Sequence, residues 1–529
     1  MRTMKYLALS AAFVLAGCQE LDIENPNAPD RSRATQQPTA TESFVSSAFR
    51  TWWPVAGHDD YPAWAFSTMA LEVTSGFADF GQLETSALPR SAWNNSPVNA
   101  RSLVTERPWY NLYSTVSQVN DALISIDSGL VIVDATRTAR TRTMGKFLQA
   151  LSHGMLGLYF DKAVVIDEKL ALDTVSSPNF QPYPEVVTAA IAQLDEAIAF
   201  AGVSNFSLPV DAWLFQAMTR DDVVKLANSY AARFMAYAPR TRTERAAVNW
   251  TEVLRRANLG ITTDFAPIAQ PGGILFDDWK RLVARVRTGP PSDFGRPSYF
   301  LLGPADSTQG FINWSNAPLA SRTAFQIRTT DRRIHGAGGP TTPGKYFGYN
   351  ANNIFQASRG QWRWSHYYYL RNGTGTSWEN GPQLAVTVAE MDLIKAEALI
   401  RLNRAAEAVP LINKTRVANG QLPPVTIDGP PDEPSCVPRK ANGQCGSLWD
   451  ALRYEKGVEM IGTSGVVRFF DSRGWQMLPE NTFVHMPVPG RELGTLRMEL
   501  YTFGGPGGEG SAPAPDPERC PVALPRCPA

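Results

Sequence analysis

Between Thr387 and Gly420 apolar residues recur at three- and four-residue steps: Met391, Ile394, Ala398 and Leu402, then Ala405, Ala408, Leu411, Ile412 and Thr415. That spacing puts each set on one face of an α-helix. Asn403-Arg404 forms a short break between the two runs. Thr387 and Glu390 have the spacing of a capping box, in which each side chain satisfies an orphan backbone N–H. Asn419-Gly420 is a helix stop. Ala396, Ala398, Ala405 and Ala408 permit close approach, so the pattern predicts an antiparallel helical hairpin of tetratricopeptide-like length.

The same periodicity recurs upstream. Helices are predicted over residues 41–51, 109–126, 139–159, 219–238 and 244–259, with another starting at Pro184, where proline is tolerated in the first turn. Leu112, Val116, Val119 and Leu123 share a face in one, and Val187, Ile191, Leu194 and Ile198 in another. Ser447 to Ile461 is the last clear helix, opened by Ser447 and Asp450 in a second capping pattern. Two stretches lack the pattern: Trp52 to Pro108, rich in Trp, Gly and Asn, and Pro267 to Pro382, too long for a single loop. The expected fold is all-α dominated: tetratricopeptide-like stacked helical hairpins with a long irregular, loop-rich middle segment. The expected division is 41–265 helical, 266–386 irregular and aromatic-rich, 387–503 helical, and 504–529 a mobile Pro/Gly-rich tail.

The first residues read differently. Arg2 and Lys5 precede a short apolar run that ends Leu15-Ala16-Gly17-Cys18. The run is too short to span a bilayer, which takes about 20 residues, and reads as a signal peptide over 1–17. Small residues just before a cysteine fit the bacterial lipobox, so Cys18 is the expected lipidation site, with 18–40 a polar linker. Lys+Arg and Asp+Glu number 50 each, so net charge steers the chain toward neither nucleic acid nor an anionic membrane. With Cys18 set aside, Cys436, Cys445, Cys520 and Cys527 remain as disulfide candidates. Sequence closeness favours Cys436–Cys445 and Cys520–Cys527; no spacing or nearby histidine supports zinc.

In this order the signatures resemble the SusD/RagB family of outer-membrane nutrient-binding lipoproteins. Trp109-Tyr110-Asn111-Leu112-Tyr113, continuing to Asn120-Asp121-Ala122-Leu123, is similar to the family's W-x-x-x-Y…N-x-A-L helix. Lys146-Phe147-Leu148-Gln149-Ala150 resembles R-F-L-R-A, with lysine where arginine is usual. Glu390-Met391-Asp392-Leu393-Ile394-Lys395-Ala396-Glu397-Ala398 resembles E-M-Y-L-I-x-A-E-A, and Ile412-Asn413-Lys414-Thr415-Arg416 its I-N-x-x-R. Arg453-Tyr454-Glu455-Lys456 with Glu459, then Arg468 to Arg473, then Pro487-Val488-Pro489 with Glu492-Leu493, follow in the family's order. Gly462-Thr463-Ser464-Gly465 and the cysteine-bearing tail depart from it. The resemblance implies a helical scaffold on the cell surface, lipid-anchored in the outer membrane. Its partner would be a SusC-like TonB-dependent barrel transporter, over which it sits as a lid, and its ligand an oligosaccharide or peptide.

A sugar or peptide binder needs flat apolar faces with amides close by. Trp93 with Asn94 and Asn95, Trp314 with Asn313 and Asn316, and Trp362 with Trp364 are the expected ligand-binding residues. Each tryptophan has core packing as its alternative role. The five histidines are scattered and no H-E-x-x-H, G-x-S-x-G, P-loop or dinucleotide pattern occurs, so neither metal, cofactor nor catalysis is expected. A surface-anchored hydrolase and a helical-repeat interaction scaffold are the alternatives.

Overall fold

The computed structural model describes residues 36–75, 79–170, 178–270, 275, 295–351, 365–371 and 381–515. Cys18, Trp362, Trp364, Cys520 and Cys527 lie outside them.

Helix α1, Pro38–Trp53, runs into a π turn at Pro54–His58 and then α2, Asp60–Met69. Gly57 makes that bend possible: its φ is 105°, and a Cβ there would lie 2.3 Å from Ser464 Oγ. Strand β1, Val73–Ser75, and helix α3, Gln82–Ser86, precede two long helices, α4 at Leu103–Asp127 and α5 at Ala135–Tyr159. Strands β2 (Lys162–Ala163) and β3 (Gln181–Pro182) pair antiparallel and lead into α6, Tyr183–Ala201, with proline in its first turn. The short β4 (Ser207–Leu208) and β5 (Met218–Thr219) pair in the same way and precede α7, Arg220–Tyr237. Next come α8, Arg242–Ala246, and α9, Trp250–Asn258.

Packing follows chain order. Helices α1, α4 and α5 pack on one another, α5 packs on α6, α6 on α7, and α7 on α9. Helix α9 then meets α12, Val388–Arg401, which is hairpinned to α13, Ala405–Ala418. The stacked helical hairpins of an all-α fold are therefore present, and one apolar core runs through them.

The middle segment has a smaller core. Strand β7, Gly295–Pro297, pairs antiparallel with β1, and β8 (Phe347–Tyr349) with β9 (Tyr367–Tyr369). Helices α10, Tyr299–Leu302, and α11, Gly310–Asn316, set Tyr299, Phe311 and Trp314 together beneath them. Tyr367 and Tyr369 point into this core from one side of β9, as strand alternation requires. A third short pair joins β6 (Ile268–Ala269) to β10 (Gly381–Pro382).

Several expectations need correction. The stretch from Trp52 to Pro108 is not irregular throughout: it holds α2, α3 and the first turns of α4. The single helix expected over 244–259 is two, because Asn249 accepts from Glu252 N and starts α9 afresh. Ser447 and Asp450 form a complete capping box on α14, Leu448–Met460. Thr387 caps α12, but Glu390 does not reciprocate: its carboxylate accepts from Arg233 Nε at 2.8 Å and from the Tyr237 hydroxyl at 2.7 Å. Beyond Ile461 the described residues hold two further helices, α15 at Val467–Gly474 and α16 at Gly490–Thr495. The first part of the tail is packed, with Ala512 buried and its N–H bonded to Thr482 O at 2.7 Å.

Many polar residues of the recognisable signatures are buried. Arg245 donates to both oxygens of Glu397, at 2.9 and 2.7 Å, and to Asp471 at 2.9 Å. Lys456 also pairs with Asp471, at 2.8 Å. Arg333 gathers Asp331, Glu455 and Glu459, the last two one turn apart on α14. Breaking a buried charge pair by removing one partner costs about 3–5 kcal/mol, so these positions constrain the chain strongly.

Candidate functional site

Helix α4 turns one face to the core and another outward. Leu112, Val116, Val119 and Leu123 are buried, as their spacing predicts. Tyr110, Tyr113, Ser117, Asp121 and Ile124 recur at the same three- and four-residue steps along an adjacent stripe. They line a cleft of about 540 Å³. Val164, Ile166 and Leu170 from the loop after β2, Phe180 just before β3, and Glu492 and Leu496 at α16 close its sides. Tyr110 is 38% exposed and Ile124 45%, unusual for large apolar groups inside a concavity.

The walls are held by committed polar bonds. The Tyr113 hydroxyl donates to Val164 O at 3.0 Å and accepts from Val164 N at 2.7 Å, tying the loop to α4. Burial holds its pKa well above the usual phenol range. Asn120 donates to Ile166 O at 3.3 Å and accepts from Gln149 Nε2 at 2.6 Å. Behind it Lys146 reaches Glu168 at 2.7 Å and Glu196 at 2.8 Å, an ion-pair cluster beneath the cleft. His153 is a core residue: Nδ1 lies 2.9 Å from Gln193 Oε1, Nε2 accepts from Ile166 N, and burial lowers its pKa to about 4. Tyr110 is pushed up to about 12 by burial and by the neighbouring Glu492 carboxylate. Chemically, the cleft offers an apolar floor, one exposed aromatic ring and a carboxylate rim formed by Asp121, Asp167 and Glu492.

Of the residues expected from sequence to bind ligand, those among the described residues do not line this cleft, and Trp362 and Trp364 lie outside the described residues. Trp93 is 4% exposed, packed against Phe483 at 5.9 Å, and its backbone N–H bonds to Phe503 O. Asn95 is consumed by structure: Nδ2 donates to Val488 O and Tyr501 O, and Oδ1 accepts from Gly490 N. Asn94 is exposed, and its Oδ1 accepts from Ser96 N. Trp314 is 6% exposed, edge-on to Tyr299 at 5.0 Å and covered by the Arg322 guanidinium. Asn313 and Asn316 flank it on the exposed side of α11. Both tryptophans thus take the core role that sequence left as their alternative. Cys436 and Cys445 form a disulfide with Cα atoms 5.8 Å apart. Among the described residues no cluster of His, Cys, Asp and Glu could hold a metal ion, and no helix is long and apolar enough to cross a membrane.

The fold is shared with solved SusD-like structures. A SusD superfamily protein from Parabacteroides distasonis superposes with a TM-score of 0.59 at 12% identity, covering 89% of this chain and 98% of its own. One from Bacteroides thetaiotaomicron gives 0.54 at 13% identity, covering 88% and 97%. A SusD-like carbohydrate binding protein from Bacteroides fragilis gives 0.50 at 13%, covering 93% and 96%. No family model and no curated relative matches the sequence.

Proposed function

We propose that this protein is a SusD/RagB-type surface lipoprotein that captures an oligomeric nutrient, glycan or peptide, and delivers it to a TonB-dependent barrel transporter. The observation that carries this reading is the shared fold, which extends over nearly the whole length of SusD-like structures, one of them described as carbohydrate binding. The ordered signatures from Trp109 to Leu493 support it, as does a lipobox cysteine at residue 18. The mechanism is reversible capture with no bond made or broken. Lipid on Cys18 tethers the protein to the outer membrane, and the cleft along α4 is the candidate contact surface, supplying apolar area for affinity and polar groups for orientation.

The test is gentle solubilisation of the tagged lipoprotein from membranes, followed by identification of what accompanies it. A large TonB-dependent barrel in near-equal amount is the expected result. Recovery of the lipidated protein alone would overturn the delivery role.

A further inference from the structure

His485 lies under the last part of the described chain. Its ring meets Phe503 edge-on at 4.3 Å and Tyr183 at 6.3 Å. Gly510 passes so close that a Cβ there would stand 3.0 Å from Nε2. Both ring nitrogens are buried and neither has a hydrogen-bond partner. A neutral imidazole has one donor and one acceptor to satisfy; this ring satisfies neither.

The covering segment, residues 500–512, is a strap that follows α16, whose Glu492 borders the cleft. It is fastened to the chain just before His485. Gly510 O accepts from Val484 N at 2.9 Å, Gly505 N donates to Asn481 O at 2.9 Å, and Ala512 N to Thr482 O at 2.7 Å. The ring's charged neighbours are Arg240 and Arg473. Their guanidinium N–H groups donate to backbone carbonyls, Arg240 to Ala238, Gly157 and Phe160, and Arg473 to Leu158, Val484 and Tyr237. The acids of the neighbourhood are committed or exposed. Glu244 accepts from the Tyr183 hydroxyl and Arg240 N, Asp161 accepts from Tyr501, and Glu509 on the strap is exposed. A proton on His485 would therefore add a cation beside two guanidiniums, with no acceptor for either N–H. Burial and those two cations hold its pKa well below the ordinary 6.5.

We propose that His485 is an acid-sensitive pin: the strap closes over the neutral ring and lifts when the ring takes a proton. The closed state excludes a proton that an open, solvated imidazole binds below 6.5, so acid favours opening, by about 30-fold at pH 5.0 relative to pH 7.5. Asp161, which burial raises to about 6, also titrates in this range. Lifting the strap removes both the Tyr501 bond and part of that burial, which act on Asp161 in opposite senses, so His485 is read by difference.

The test is amide hydrogen exchange on the intact, detergent-solubilised lipoprotein and its His485→Phe variant at both pH values, corrected for the intrinsic pH dependence of exchange. Protection at Gly505 and Ala512 in the unaltered protein, relative to the variant, is expected to fall about 30-fold from pH 7.5 to 5.0. His485→Leu supplies a second ring-free comparison, and unchanged helical circular dichroism confirms that each variant is folded. A ratio that stays constant with pH would overturn the inference. So would strap amides that lose protection only together with those of α12, because the strap would then open only with the whole fold.

Discussion

Glu72 follows helix α2 and is fully buried, with neither carboxylate oxygen hydrogen-bonded. Burial pushes it up from the ordinary 4.5 to about 8, with Arg468 acting in the opposite sense. Between those two values the folded protein holds a proton that the unfolded chain has lost, so this residue lowers stability as pH rises through that window. Glu72→Gln is therefore expected to raise the thermal midpoint at pH 8 and leave it unchanged near pH 4.5; equal midpoints at both pH values would rule this out. Glu397 is the opposite case. It is as deeply buried, but Arg245, Arg401 and the Trp475 indole all donate to it, and these cations hold its carboxyl well below the usual carboxylate range despite burial. Both are fully buried glutamates, distinguished by the donors around Glu397: Arg401 one turn along its own helix, and Arg245 and Trp475 from distant parts of the chain. Glu390 shows how far local reading reaches. Its spacing from Thr387 announced a capping partner, yet Arg233 and Tyr237, over 150 residues away in the chain, outcompete the local N–H.

Helices were legible where one apolar stripe faced one core. The hairpin of α12 and α13 and the core face of α4 both follow from steps of three and four. Helix α2 was not legible, because Trp64, Phe66 and Met69 are buried on several sides and leave no polar face to mark a period. Contacts between helices depend on small residues at points that periodicity does not single out. Gly154 in α5 faces α7, and a Cβ there would lie 2.1 Å from Phe234 Cζ. Gly154→Ala should improve helix propensity by about 1 kcal/mol yet lose about 1–3 kcal/mol to overpacking. A net fall in the urea unfolding midpoint is expected; a rise would mean that the two helices separate freely. The site stripe of α4 was present in the sequence as Tyr110, Tyr113, Ser117, Asp121 and Ile124, beside the core stripe. Tryptophan-asparagine clusters are the louder signal for a stacking site, but the largest apolar side chains are those that a core claims first.

At the scale of the whole molecule, the C-terminal segment closes the structure onto its beginning. The Tyr501 hydroxyl donates to Asp161 at 2.9 Å, Phe503 O accepts from Trp93 N, and Asn95 bridges Val488 and Tyr501. A chain ended at Glu499 loses the buried Phe503 together with the bonds made by Tyr501 and Phe503. Its thermal midpoint should drop by the equivalent of at least about 3 kcal/mol, the cost of removing one large core aromatic; an unchanged midpoint would show the segment to be an appendage. The sequence by itself determined the helical class, the presence and core faces of the strongly periodic helices and the order of the SusD-like signatures, because these depend on residues close together in the chain. Tertiary structure decided which tryptophans are core, which carboxylates are paired, and that α4, the loop after β2 and α16 enclose one trough. Those outcomes depend on groups hundreds of residues apart meeting in space, and no local period records such meetings.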